Sequence, residues 1–218
     1  MLVVRSIHRE LDGEALNRNG NLDNDGCNAA TLAATLGLEA TAVRYHGGME
    51  AEHVTHTIPP IFDERSRALV LGTMPSPASR AAGFYYGHPQ NRFWRVMEQL
   101  FDLPDHALVE NAARTEFLLV HRIAMWDVLA SCEIEGASDA SIADPEPNDL
   151  ARVFDAAPVA QVFTTGSKAT ALCRRFDGDL LAERGISLVP LPSTSSANAR
   201  MRLPDLVAAY RPLADALR

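Results

Sequence analysis

The chain has 218 residues, room for one packed domain with an appendage but not for two full-sized domains and a linker. With 47% apolar and 22% charged residues it lies far from the composition of disordered chains, and no apolar run approaches the roughly 18 residues that cross a bilayer. A net charge of −8 counts against a simple basic nucleic-acid binder, and the N-terminus lacks the pattern of a secretory signal, which points to the cytoplasm.

Residues 1–56 read as an extension of unknown role, rich in Gly, Asn and Asp, with brief apolar stretches such as 31–38 and no motif. Met49, just ahead of the patterned region, is a candidate start of the natural chain. Over residues 57–218 the pattern changes to strand, loop and helix in alternation. Arg67–Gly72 (RALVLG) is a short apolar run closed by glycine, as expected of a buried strand. Gly72–Ser79 (GTMPSPAS) follows as a tight loop of small residues and prolines. Its backbone N–H groups and the hydroxyls of Ser76 and Ser79 suit a phosphate, although a plain turn reads as well.

Gly83–Trp94 (GFYYGHPQNRFW) is more unusual, gathering aromatics, a His, an Asn and an Arg between glycines just before a helix. Ring faces in a loop are what an everted base stacks on, so Phe84 and Tyr85 are candidate base-binding residues. Rings that only cover the sheet edge are the plainer alternative, preferred for Phe93 and Trp94. The helix is expected over Pro89–Phe101, with Phe93, Met97, Leu100 and Phe101 on one face and Pro104 stopping it. Asn91 then falls in its first turn.

A further strand lies within Leu118–Leu129, where mixed periodicity also admits a helix end. Asn148 suits the cap of a helix over Asp149–Ala156, and Ser167 the cap of one running to Phe176. Val159–Thr165 and Ile186–Leu191 read as strands, and Pro204 opens a last helix ending near Leu217. Between them Leu191–Ala199 (LPSTSSANA) is a hydroxyl-rich loop that either holds phosphates or is a surface turn. Strands alternating with helices imply an open, mostly parallel α/β sheet, whose ligands bind beyond the C-terminal strand ends. The loops after Leu71 and Leu191 are therefore the places to look.

Cys27, Cys132 and Cys173 are odd in number and never form CxxC, which offers neither a disulfide framework nor a closed zinc or iron–sulfur site. No metal or cofactor is expected. The acidity is uneven: residues 1–60 hold 4 Arg against 8 acids, whereas 61–101 carry a net +2.

GTMPSPASRAAGFYYGHPQNRFW, IAMWDVL and LPSTSSANA, in that order, resemble the uracil-DNA glycosylase superfamily, most closely its DNA-deoxyinosine (hypoxanthine-DNA) branch, over roughly residues 57–215. The resemblance implies a three-layer α/β/α domain with a four-stranded parallel sheet. It also implies a DNA substrate with a deaminated base and a lesion pocket between the Gly72 and Leu191 loops. Gly72, Thr73 and Met74 would then touch the base, and Ser193, Thr194, Ser195 and Asn198 the DNA. Strong uracil hydrolases of the superfamily resemble one another in an Asp or Asn where this chain has Met74. Many also have a His where it has Leu191 and Pro192, so efficient uracil removal is not expected.

In the deoxyinosine branch the catalytic role falls on the Asn of HPQNRFW, here Asn91. An amide at a helix N-terminus suits the job, because charge grows on the departing base. It would position water or donate its NH₂. His88 is a candidate donor to the purine, and Arg80 and Arg92 are candidate phosphate contacts. Strand cleavage needs an amine for a Schiff base. The only lysine, Lys168, fits a phosphate contact or plain surface better, so a monofunctional, monomeric enzyme is expected. A uracil or mismatch glycosylase and a lesion-binding module without catalysis remain the alternatives. A serine hydrolase finds little support, because no G-x-S-x-G elbow precedes a helix.

Overall fold

The computed structural model describes residues 51–218; the readings made for residues 1–50, with Cys27 and Met49, lie outside the described residues. Four parallel strands form the centre: β2 (Ala68–Gly72), β3 (Ile123–Asp127), β6 (Gln161–Thr165) and β7 (Ser187–Leu191), in the order β3-β2-β6-β7. Ala68 to Leu71 are inaccessible to solvent, as are Ile123, Ala124 and Met125. Burial on both faces explains why these strands are continuous apolar runs rather than alternating ones. Helices α1 (Pro77–Ala82), α2 (Phe93–Leu100), α3 (Asn111–Val120), α4 (Ala151–Ala156), α5 (Ser167–Glu183), α6 (Leu203–Ala209) and α7 (Arg211–Asp215) complete the three-layer α/β/α arrangement. Because β2 lies between β3 and β6, the strand order reverses beside it, making the C-terminal end of β2 a switch point.

A second sheet joins β1 (Glu52–Thr55), β4 (Leu129–Ile134) and β5 (Ala143–Pro147) in the order β1-β4-β5, all antiparallel. Residues 52–55 sit on the extension side of the boundary read at 56/57, yet they pair with the end of the segment that enters from β3.

Several local expectations change. The Leu118–Leu129 stretch divides into the last turn of α3, all of β3 and the first residue of β4, which is why its periodicity is mixed. Asn148 does not cap α4. Its Nδ2 donates to the carbonyls of Asp127 and Leu129, and Asp149 Oδ1 accepts from Ala151 N instead. Helix α5 starts at Ser167 behind Gly166, whose φ of 99° suits glycine, and runs through Gly178 to Glu183. The C-terminal helix breaks at Tyr210, because Pro212 has no N–H with which to continue the ladder.

Cys132 and Cys173 are free and buried, and burial pushes the Cys173 thiol up to about 12. One turn further along α5, Asp177 is 5% exposed, and its Oδ2 has no hydrogen-bond partner among the described residues. Burial, with the charge of Asp149 adding to it, pushes its carboxyl from 3.8 up to about 6. The folded state then binds this proton more tightly than the unfolded one. The stability it contributes is full below the unfolded pKa and is lost as pH rises through the folded value. Asp177→Asn is expected to stabilise the protein by about 1–3 kcal/mol at pH 7.5, with the gain vanishing below about pH 4. Urea unfolding at the two pH values checks this.

Candidate active site

A cavity of about 530 Å³ opens at the C-terminal edge of the parallel sheet, within the range of about 300–1,000 Å³ usual for ligand sites. The ends of β2, β3 and β6 supply Gly72, Asp127 and Thr165 to it, and the loop after β7 supplies Ser193, Thr194 and Ser195. Both loops singled out in the sequence meet here.

The first loop is anchored from below, with Val128 N donating to Gly72 O and Leu129 N to Thr73 O. Thr73 and Met74 line the cavity, and Thr73 Oγ1 donates to Asp139 Oδ2 at 3.2 Å. Ser76 and Ser79 also line it, but their hydroxyls have structural partners. Ser76 caps α1 by accepting from Ser79 N, and Ser79 Oγ accepts from Gly87 N at 3.1 Å. The Arg80 guanidinium donates to Pro75 O and pairs with Glu52 at 2.7 Å, so it is not a free phosphate ligand.

Among the aromatics, the expected assignment shifts by one or two residues. Phe84 does not line the cavity; it is 6% exposed and packs against Tyr85 and Trp94. Tyr85 reaches the cavity edge but is 2% exposed, its hydroxyl directed to Pro59 O at 3.0 Å. The ring that covers the cavity wall is Tyr86. Its backbone takes φ 52°, the left-handed region that a bulky residue rarely occupies, and this turns the side chain away from its neighbours. The ring stacks on Phe93 at 4.1 Å and 10°. Thr165 Oγ1 spends its single hydrogen on Leu71 O, so the Tyr86 hydroxyl is the donor in their 2.9 Å contact. Burial, reinforced by the charge of Asp127, holds that phenol well above its ordinary value and therefore neutral.

Asn91 lies two residues before α2 rather than inside its first turn. The chain is drawn off the helix there because Arg92 N donates to Thr194 O, across to the last loop. Asn91 Oδ1 accepts from Phe93 N at 3.0 Å and from Thr194 Oγ1 at 2.8 Å. A backbone N–H requires an acceptor, which fixes the orientation of the amide: the oxygen is occupied, and the NH₂ of this cavity-lining residue has no partner among the described residues. His88 lines the mouth and is exposed. Its Nδ1 accepts from Gln90 N, so the neutral ring carries its proton on Nε2.

Arg92 has a different place from the one expected. Its guanidinium donates to the carbonyls of Thr194, Ser195, Asn198 and Met201, folding the 191–199 loop around itself. Asn198 closes that loop with Nδ2 to Ser193 O at 2.9 Å and does not line the cavity. Tyr210, between α6 and α7, donates its hydroxyl to Pro192 O at 2.9 Å.

Two paired residues with buried side chains escaped the sequence reading, and one of them, Asp127, lines the cavity. Asp127, 4% exposed, ends β3 directly opposite Gly72 in the parallel register. Its Oδ2 is 2.9 Å from His56 Nε2, and the two side chains are only 6% and 3% exposed. A Cβ on Gly72 would overlap Asp127 Oδ1, so glycine is required there for packing. The available signal was an acid closing an otherwise apolar strand at the end where such sheets bind ligands. Among the described residues no group of His, Cys, Asp and Glu could hold a metal ion.

Comparison with known proteins agrees with this geometry. The family profile of the uracil DNA glycosylase superfamily matches residues 59–214. A hypoxanthine DNA glycosylase from Methanosarcina barkeri is 32% identical over 142 residues, covering 65% of this chain and 87% of the relative. Its counterpart from Methanosarcina acetivorans is 33% identical over 149 residues, with the same coverage. The solution structure of a proposed uracil DNA glycosylase from M. acetivorans superposes with a TM-score of 0.61 at 29% identity, covering 75% of this chain and 99% of that one. By sequence, fold and the placement of its loops, this chain belongs to the uracil DNA glycosylase superfamily.

Proposed function

We propose that the protein is a monofunctional DNA glycosylase that hydrolyses the N-glycosidic bond of deoxyinosine, freeing hypoxanthine and leaving an intact strand with an abasic site. The observation that carries this reading is Asn91, which lines the cavity and whose oxygen is engaged by Thr194 and Phe93 while its NH₂ has no partner among the described residues. In base loss the sugar becomes oxocarbenium-like and the departing purine gains negative charge. A fixed amide donor stabilises that charge as it develops, and a donor placed beforehand needs no reorganisation. Tyr86 offers a ring face for the everted base, and the hydroxyls of Ser193 and Ser195 lie at the rim for the flanking phosphates. Arg92 would serve the DNA indirectly, by shaping that rim.

Met74 occupies the cavity position where strong uracil hydrolases of the superfamily resemble one another in a polar residue, and a thioether holds water poorly. Lys168, the only amine side chain in the sequence, does not line the cavity, which supports hydrolysis without strand scission. Matched duplexes bearing deoxyinosine or deoxyuridine test the reading. Hypoxanthine should be released faster, and the strand should break only after alkali. Nicking without alkali, or uracil release at an equal rate, would overturn it.

A further inference from the structure

The hydrolysis described above assigns Asn91 to the departing base and leaves the attacking water without a holder. Met74 offers only a thioether, which accepts weakly and donates nothing. Two carboxylates line the cavity, Asp127 and Asp139. Asp127 is buried and tied to His56, whereas Asp139, on the connection between β4 and β5, is open to solvent as well as to the cavity. Its Oδ2 accepts from Thr73 Oγ1 at 3.2 Å, the one side-chain hydrogen bond it makes among the described residues. That bond orients the carboxyl and leaves Oδ1 for a water. The protein around this carboxyl thins its hydration and raises its pKa above the ordinary 3.8, against the opposing pull of the Thr73 hydrogen bond and the Lys168 charge. A carboxylate raised in this way is a better proton acceptor.

The topology brings Asp139 and Asn91 to the cavity from opposite edges of the parallel sheet. In the order β3-β2-β6-β7 the outer strands are β3 and β7. Asn91 is fixed by Thr194 in the loop after β7, whereas Asp139 belongs to the chain that leaves β3. Glycoside hydrolysis with inversion uses two groups in this arrangement, one at the leaving group and a carboxylate that activates water on the opposite face of the sugar. We infer that Asp139 is the general base of the reaction: its Oδ1 holds the water that attacks the anomeric carbon and takes a proton from it as the bond from that carbon to the purine breaks. This rests on the glycosylase reading above and adds a residue to it. The electron pair of the broken bond leaves with the base, where Asn91 meets the growing charge by hydrogen bonding, and the hypoxanthine anion regains a proton from solvent. Asp139 returns its own proton to solvent through its exposed side. One water is consumed, and the abasic sugar bears the new hydroxyl. The role also explains how Met74 coexists with hydrolysis: the first loop contributes no carboxylate, but Thr73 orients one that arrives from another part of the chain.

Asp139→Asn in the full chain tests the idea, because the amide oxygen still accepts from Thr73 while the NH₂ cannot take a proton. Single-turnover release of hypoxanthine from a deoxyinosine duplex is expected to fall by about 10²–10⁴-fold, the usual contribution of a general base, while binding to the same duplex is not weakened. Thr73→Val, which lets the carboxyl turn, should give a smaller fall. A rate for Asp139→Asn within about threefold of wild type overturns the inference and leaves the deoxyinosine reading standing. Asp139→Ala separates chemistry from structure and decides the matter if the Asn variant fails to fold. Added formate, a carboxylate small enough for the vacated space, should raise its rate by at least about 10-fold. No recovery with formate makes Asp139 a structural residue and overturns the inference. If wild-type protein releases uracil but no hypoxanthine, the deoxyinosine reading fails by itself, and the same comparison on deoxyuridine DNA judges Asp139. Wild-type protein that releases neither base overturns both.

Discussion

Asn91→Ala is expected to slow hypoxanthine release by about 10²–10³-fold, the loss typical of removing one preorganised donor. The alanine also removes the acceptor for Phe93 N and the partner of Thr194 Oγ1. Some stability is therefore lost as well, about 1 kcal/mol by analogy with other helix caps. Asn91→Asp separates the two effects. An aspartate keeps an oxygen for both donors but replaces the NH₂ with a second acceptor. It should fold as well as the wild type while losing at least as much activity, because negative charge would then face the departing base. Single-turnover kinetics beside urea unfolding make the comparison. An aspartate variant with full activity would show that the oxygen, not the amide nitrogen, is the working atom.

Arg92→Ala is expected to destabilise the domain by about 2–4 kcal/mol, since one guanidinium satisfies four carbonyls of a single loop. Base release should fall with it, because the same loop carries Thr194, which orients Asn91. Arg92→Lys should recover little: an ammonium has three donors on a flexible stem and cannot span carbonyls arranged for a planar fork. Salt dependence distinguishes this role from a phosphate contact. Loss of a phosphate ligand reduces the slope of log affinity against log salt by about 1, whereas loss of a loop organiser leaves it unchanged. Binding to lesion-bearing DNA over a salt series, beside unfolding curves, gives both quantities.

The parallel sheet was legible because its central strand is buried along its whole length and its neighbours along most of theirs; Arg67–Gly72 was read within one residue of β2. Strand β5 (ADPEP) was not. It is largely exposed, contains Pro145 and Pro147, and owes its conformation to a partner strand rather than to its own side chains. The aromatic loop was legible as unusual, but the ring facing the cavity was not, since that depends on the left-handed backbone of Tyr86, a residue type with little intrinsic preference for it. Arg92 looked like a phosphate ligand because spacing alone does not show a loop from 100 residues later folding over it. Asp127 lies inside the IAMWDVL motif, but the motif alone does not show what its side chain faces. Its relation to Gly72 exists only through the register of two strands separated by three helices.

His56 stands three residues ahead of the span shared with the superfamily, which begins at residue 59. A protein trimmed to that shared span would retain Gly72, Asn91 and Thr194 and would still match the family profile. It would nevertheless lack the imidazole that restrains Asp127 and the Glu52 carboxylate that neutralises Arg80. Domain limits drawn from homology would thus keep every loop around the cavity and discard two side chains that brace its residues from outside the matched span.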